Sequence, residues 1–100
     1  PAYVTSKHGI IGLTKVSALE YAKSGIRINA VCPGYVRTPM LEGVFNGWSD
    51  EIEAMISEHV PFGRTGKPEE IAEAVLWLCS DRSSYMTGHA MAVDGAFLAQ

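Results

Sequence analysis

Gly25-Ile-Arg-Ile-Asn-Ala-Val-Cys-Pro-Gly34 is the stretch on which the fold turns. It is rich in β-formers and ends in a near-continuous apolar run. A strand with one wet face would alternate polar and apolar residues; an unbroken run suits a strand covered on both faces, as in a parallel sheet. The pattern predicts a strand over residues 26–32, closed sharply by Pro33-Gly34.

Upstream of that strand, residues 3–23 read as one long helix. Val4, Ile10, Ile11, Leu13, Val16, Leu19 and Ala22 recur at spacings of three and four and make a broad apolar stripe. Gly9 and Gly12 lie within it. Each costs about 1 kcal/mol against alanine, which predicts a close neighbour as compensation. Ser24-Gly25 supplies a left-handed stop.

Downstream, residues 35–48 read as irregular, and as apolar for a loop. A second helix is expected from Ser49 or Asp50, with Asp50 as N-cap and Glu53 completing a capping box. Ile52, Met55, Ile56 and Val60 form its narrow apolar face. After a Gly-containing connection, Pro68 fits the first position of another helix, with Glu69 and Glu70 near its positive end. Ile71, Ala72, Val75, Leu76, Leu78 and Cys79 make that helix strongly apolar. A short strand over 89–93 follows, before the Asp94-Gly95 turn. Helix, strand, lid-like segment, helix, strand is half of an alternating α/β plan.

Composition narrows the function classes. At 100 residues, one domain is the upper limit. Eight Lys and Arg against eleven Asp and Glu give a net charge of −3, with no basic footprint for nucleic acid. No apolar run approaches the roughly 20 residues that span a bilayer, and no charged start precedes an apolar block, as a signal peptide requires. Cys32 and Cys79 both sit in apolar stretches and read as buried thiols rather than a disulfide framework, which favours a reducing, cytoplasmic setting. His8, His59 and His89 lack metal-ligand spacing, so no metal is expected; His59 extends the apolar face of the second helix. Pro1-Ala2-Tyr3 has no initiator Met and enters a helical pattern at once, so the chain is expected to be a piece of a longer one.

One constellation carries chemistry. Tyr3 and Lys7 are four apart at the start of the first helix, so they share a face. A phenol titrates near 10, and a neighbouring ammonium favours its phenolate form. The pair is a candidate general acid/base for an alcohol or carbonyl oxygen.

Tyr3-Val-Thr-Ser-Lys7-His-Gly-Ile-Ile-Gly-Leu-Thr-Lys and the Gly25–Gly34 stretch together resemble the short-chain dehydrogenase/reductase family. So do Val36-Arg-Thr38-Pro39, the run from Pro61-Phe-Gly-Arg64 through Pro68-Glu69-Glu-Ile-Ala72, and Thr87-Gly88 with Val93-Asp94-Gly95. Order and spacing match the C-terminal part of that family, from the catalytic Tyr to the last strand. The resemblance implies an α/β fold, the C-terminal half of a doubly wound parallel-sheet Rossmann-like domain, with residues 1–100 as part of a single NAD(P)-binding domain. Tyr3 would be the proton donor or acceptor, and Lys7 would hold the nicotinamide ribose. Pro33 and Gly34 would end the strand where open α/β sheets bind ligands. Val36 and Thr38 would meet the nicotinamide carboxamide through backbone and hydroxyl. The cofactor would be NAD or NADP, and the reaction a hydride transfer between it and a small secondary alcohol or ketone.

The family's phosphate-binding glycine loop and its catalytic Ser and Asn fall before Pro1 in the matched pattern; Gly43-Val-Phe-Asn-Gly47 follows no strand, and Ser6 lies on a different helical azimuth from Tyr3. The isolated segment is therefore expected to be inactive without an upstream half. The rival reading is a non-catalytic half-domain that packs or oligomerises.

The apolar residues of 40–56 read either as ordinary packing of a loop against the sheet edge or as a substrate lid, and the same resemblance favours the lid, over residues 39–60. Met40, Leu41, Val44, Phe45 and Trp48 offer it apolar area, and Gly43 and Gly47 serve as flexible points. Arg64 and Glu69 are expected to pin a loop to a helix start. Breadth of apolar surface on the first and third helices, together with the resemblance, points to a homodimer or homotetramer. Trp77 is either core or a subunit contact.

Overall fold

The structure is a computed structural model and describes residues 2–100. Four helices and two strands follow one another as α1 Ala2–Tyr21, β1 Ala30–Pro33, α2 Pro39–Val44, α3 Asp50–Ser57, α4 Pro68–Cys79 and β2 Ala90–Val93. Short 3-10 turns occupy Ala22–Ser24, Asp81–Ser83 and Phe97–Ala99. The two strands pair with each other. Ala30 N–H donates to the His89 carbonyl, and Gly34 N–H to that of Val93. Equal steps in the same direction on both strands make the pair parallel. The element order is thus the alternating α/β one. Among the described residues no helix is long and apolar enough to cross a membrane.

The chain divides into two compact units: residues 1–31 with 75–91, and residues 32–74 with 92–100. In the first, α1 ends as expected at Gly25, which takes φ 75° and donates its N–H to the Ala22 carbonyl. The expected strand over 26–32 is shorter, because 26–29 spend their polar groups on turns instead of a ladder. Arg27 donates to the Ser80 and Met86 carbonyls and to Ser83 Oγ. Asn29 reaches the Met86 carbonyl and accepts from His89 N–H. Thr87 Oγ1 accepts from Ile28 N–H. These bonds satisfy the half-buried approach to β1 without a partner strand.

The packed face of α1 is not the predicted stripe. Thr14 and Ala18 are its buried residues, and Thr14 returns its hydroxyl to the Ile10 carbonyl at 2.7 Å. Ala18 is small because a Cβ placed on Gly88 would stand 3.3 Å from its own. Ile10, Leu13, Val16 and Leu19 are exposed. Gly9 and Gly12 have no neighbour within 4 Å, so the expected close contact is absent. Cys79 is exposed, contrary to expectation, while Cys32 is buried. The last turn of α4 inserts Leu78 and turns Cys79 outward.

In the second unit, residues 35–48 are more ordered than the sequence suggested. Thr38 caps α2, its hydroxyl accepting from Leu41 N–H, and Pro39 holds the first helical position. Helix α3 starts one residue earlier in its cap than predicted: Ser49, not Asp50, is the N-cap and accepts from Ile52 N–H. Glu53 therefore does not close a capping box. Its carboxylate accepts from Ser57 Oγ and, at 2.7 Å, from Thr65 Oγ1. Ile56 and Val60 are buried beneath α3 and its exit.

Candidate functional site

The predicted site residues fall in both units, and each group is described in its own. In the first, Tyr3 and Lys7 occupy successive turns of α1, as the i, i+4 spacing requires. Lys7 Nζ lies 5.9 Å from the centroid of the Tyr3 ring. The phenol is 73% exposed, so its hydroxyl is open to an incoming oxygen. The helix supplies a rigid base for a proton-exchanging group beside a cation.

In the second unit, the chain leaves β1 through Pro33 and Gly34, bends at Tyr35 and is extended at Thr38. Only glycine fits at position 34: a Cβ there would stand 2.7 Å from that of Asp94. Val36 forms an isolated parallel bridge with Gly66. Gly66 N–H donates to the Tyr35 carbonyl at 2.8 Å, and Arg37 N–H to the Gly66 carbonyl at 3.2 Å. In such a bridge the N–H and C=O of Val36 itself point the other way, and neither has a partner among the described residues. Thr38, whose backbone is extended at φ −126° and ψ 160°, uses an oxygen lone pair on Leu41 N–H and keeps its own proton for donation. A free N–H and a hydroxyl donor can both point at the two lone pairs of a carboxamide oxygen, and a free C=O within the same three residues can accept from one of its N–H groups. The residues present therefore fit the amide end of a nicotinamide.

The lid residues separate. Leu41 and Phe45, with Tyr35, Met55, Ile56 and His59, line a cavity of about 200 Å³ whose walls are almost wholly apolar. Met40 does not line it and is 82% exposed; Trp48 stands edge-on to Phe45, ring centroids 6.3 Å apart. Tyr35 and His59 were missed by sequence reasoning as cavity residues. Tyr35 is held edge-on by Phe97 at 5.4 Å, a contact across most of the chain length. His59 is not packed as expected; its side chain is exposed at the end of α3, where its carbonyl accepts from Gln100 Nε2.

Arg37 organises the surface around α2. Its Nε donates to Glu42 Oε1 at 2.8 Å, and its guanidinium lies 5.3 Å from the centre of the Trp48 ring. A solvent-exposed ion pair is worth about 0.2–1 kcal/mol, and an exposed cation–π contact about 0.5–1 kcal/mol.

The Arg64 expectation is corrected in its partner. Arg64 makes a two-pronged pair with Glu70, at 2.7 and 2.9 Å, rather than with Glu69. Glu70 Oε1 also accepts from Lys67 N–H, closing the entrance of α4. These bonds, the Arg64 ones first, pull the Glu70 carboxyl down to about 2 and raise Arg64 above its ordinary value. Both side chains are partly solvent-exposed, so the pair is a loop latch more than a source of stability. It lies beside a larger cavity of about 340 Å³ that also touches Tyr35, Phe62 and Asp94. Among the described residues no group of three His, Cys, Asp or Glu is placed to hold a metal.

Comparison with known proteins gives a consistent set of matches. A family profile described as enoyl-(acyl carrier protein) reductase matches residues 1–97. Cyclohexanol dehydrogenase of Acinetobacter sp. (strain SE19) is 50% identical over 95 residues, which are 95% of this chain and 35% of that protein. A solved short chain dehydrogenase family protein from Francisella tularensis superposes with a TM-score of 0.86 at 39% identity, covering 99% of this chain and 44% of the other. The 4-hydroxyisoleucine dehydrogenase complexed with NADH gives 0.88 at 36% identity, over 99% and 40% of the two chains. The chain thus spans about a third of the curated relative's length.

Proposed function

The chain belongs to the short-chain dehydrogenase/reductase family, and from that premise we propose that it is part of an oxidoreductase that interconverts a small secondary alcohol and a ketone with NAD or NADP. The observation that carries this reading is the Tyr3–Lys7 pair on successive turns of one helix, the cation 5.9 Å from the ring. Tyr3 gives its proton to the carbonyl oxygen in reduction and takes one from the alcohol in oxidation. Lys7, one turn along the helix, would hold the ribose hydroxyls of the cofactor. The bound nicotinamide supplies the hydride chemistry. The backbone of Val36 and the hydroxyl of Thr38 orient its carboxamide, while Pro33 and Gly34 end the strand at that point.

The apolar cavity beneath α2 and the neighbouring Trp48 support a substrate with an apolar, alicyclic body over a phosphorylated sugar, since no Lys or Arg among the described residues lines that cavity. The similarity to a cyclohexanol dehydrogenase agrees with this reading. Residues 1–100 are read as part of one NAD(P)-binding domain. The exposed apolar faces of α1 and of α4, where Leu76 and Trp77 emerge, support assembly as a homodimer or homotetramer.

Replacement of Tyr3 by Phe in the enzyme that carries this segment tests the proposal. Turnover is expected to fall by at least about a hundredfold, the lower range for losing a positioned acid/base, while cofactor affinity stays within about twofold. Lys7→Ala is expected to impair both. Wild-type turnover in Tyr3→Phe would leave the packing-module reading in place.

A further inference from the structure

The segment that follows β1 has two faces. In extended chain, successive side chains point to opposite sides, so Val36 and Thr38 share a direction that Arg37 does not. Arg37 spends its side chain entirely on what comes next. Its Nε holds Glu42 of α2, and its guanidinium covers the ring of Trp48, which in turn stands edge-on to Phe45. Its own N–H is tied to the Gly66 carbonyl, so the strut has a fixed base.

Helix α2 needs such a strut, since none of its residues is buried. Beyond it, Asn46 at φ 55° and Gly47 at φ 118° reverse the chain in left-handed conformations. Phe45 and Trp48 are only half-buried, so beyond the cavity wall that Phe45 joins their position depends on surface contacts, and Arg37 makes two of them at once. A flat guanidinium can stack and donate simultaneously; an ammonium cannot.

We propose that Arg37 is the positioning residue of the lid: through Glu42 and Trp48 it sets where Phe45 and Trp48 stand relative to the strand end that bears Val36 and Thr38. This rests on the reading that those two aromatic side chains meet the substrate, and it adds the residue that places them. The same strut links substrate affinity to a residue adjacent in sequence to the cofactor-binding positions.

The test has two arms. In this chain with Trp77→Phe, Trp48 is the only tryptophan, and acrylamide quenching of its fluorescence reports its cover. Arg37→Met is expected to raise the quenching constant at least about twofold, Arg37→Lys to fall between, and far-UV circular dichroism to stay unchanged. In the enzyme that carries the segment, Arg37→Met is expected to raise KM for the ketone about fivefold, with cofactor affinity within twofold and kcat little altered. Unchanged quenching in Arg37→Met overturns the strut, whatever the reaction is. Raised quenching with unchanged KM overturns the positioning role. If the unsubstituted enzyme reduces no ketone, the oxidoreductase reading fails, and quenching alone still decides the strut.

Discussion

Helices α2 and α3 are neighbours in sequence, similar in apolar content, and held by opposite means. Helix α3 drives Ile56 into the interior, with Val60 just beyond its end, both 5% exposed, and locks Glu53 onto the buried Thr65. Helix α2 has no fully buried residue; Met40 and Val44 are 82% and 70% exposed, and its restraints are a cap, the half-buried Leu41 at the cavity wall, an exposed ion pair and a stacked guanidinium. The expected lid over 39–60 is therefore two things: an anchored helix and a short, surface-held one. Sub-elements with few buried contacts open at lower free-energy cost than those with a core. From that difference, any ligand-dependent movement is expected in residues 39–48 rather than in α3.

The comparison can be broken by substitution. Ile56→Ala is expected to destabilise the chain by about 2–4 kcal/mol, as for a large-to-small change at a buried site. Val44→Ala is expected to stay within about 0.5 kcal/mol. Urea denaturation checks both; equal losses would remove the distinction.

The caps sharpen it. Ser49→Ala removes the acceptor for Ile52 N–H and is expected to cost about 1 kcal/mol, because α3 frays from a helix that the core needs. Denaturation of Ser49→Ala beside Ser49→Asp, which restores an acceptor, separates capping from general damage.

The smallest effect concerns the latch that follows α3. The Glu70 carboxyl sits near 2, below its ordinary 4.5, mainly through its bonds from Arg64. A lowered folded-state value means that the contribution is complete above about pH 4.5 and is lost as pH falls through 2. Wild type is therefore expected to lead Glu70→Gln slightly at pH 6, with the gap closing by pH 2. Thermal melts across that range check this, and a gap that widens in acid would overturn the latch.

Much of the fold was legible because it follows local rules. Gly25 had to be the left-handed stop after α1, Pro68 had to begin α4, and the apolar run into Cys32 had to end in a strand, although only Cys32 of it is buried. Illegible features depended on distant chain. Asp50 looked like the cap of α3, but Ser49 took that place and Glu53 was drawn away by Thr65, twelve residues on. Arg64 chose Glu70 over Glu69 because only one of two adjacent carboxylates turns toward the loop. The large residues of α1 made a plausible core stripe, yet Thr14 and Ala18 are the buried ones, and Ala18 is what the turn at Gly88 admits.

For the candidate site the same division holds. Spacing alone placed Tyr3 and Lys7 on one face, since four residues of helix bring side chains together wherever the helix sits. The family resemblance, not the residue types themselves, pointed to Val36 and Thr38 as the segment that would meet an amide. Only the tertiary structure decided that Gly34 faces Asp94, that Tyr35 and His59 line the cavity with Leu41 and Phe45, and that Arg37 covers Trp48. Helical periodicity is a property of a few bonded residues and is written in the order of the chain. Which side chain fills a cavity or stacks on an indole is settled by segments tens of residues apart competing for the same space.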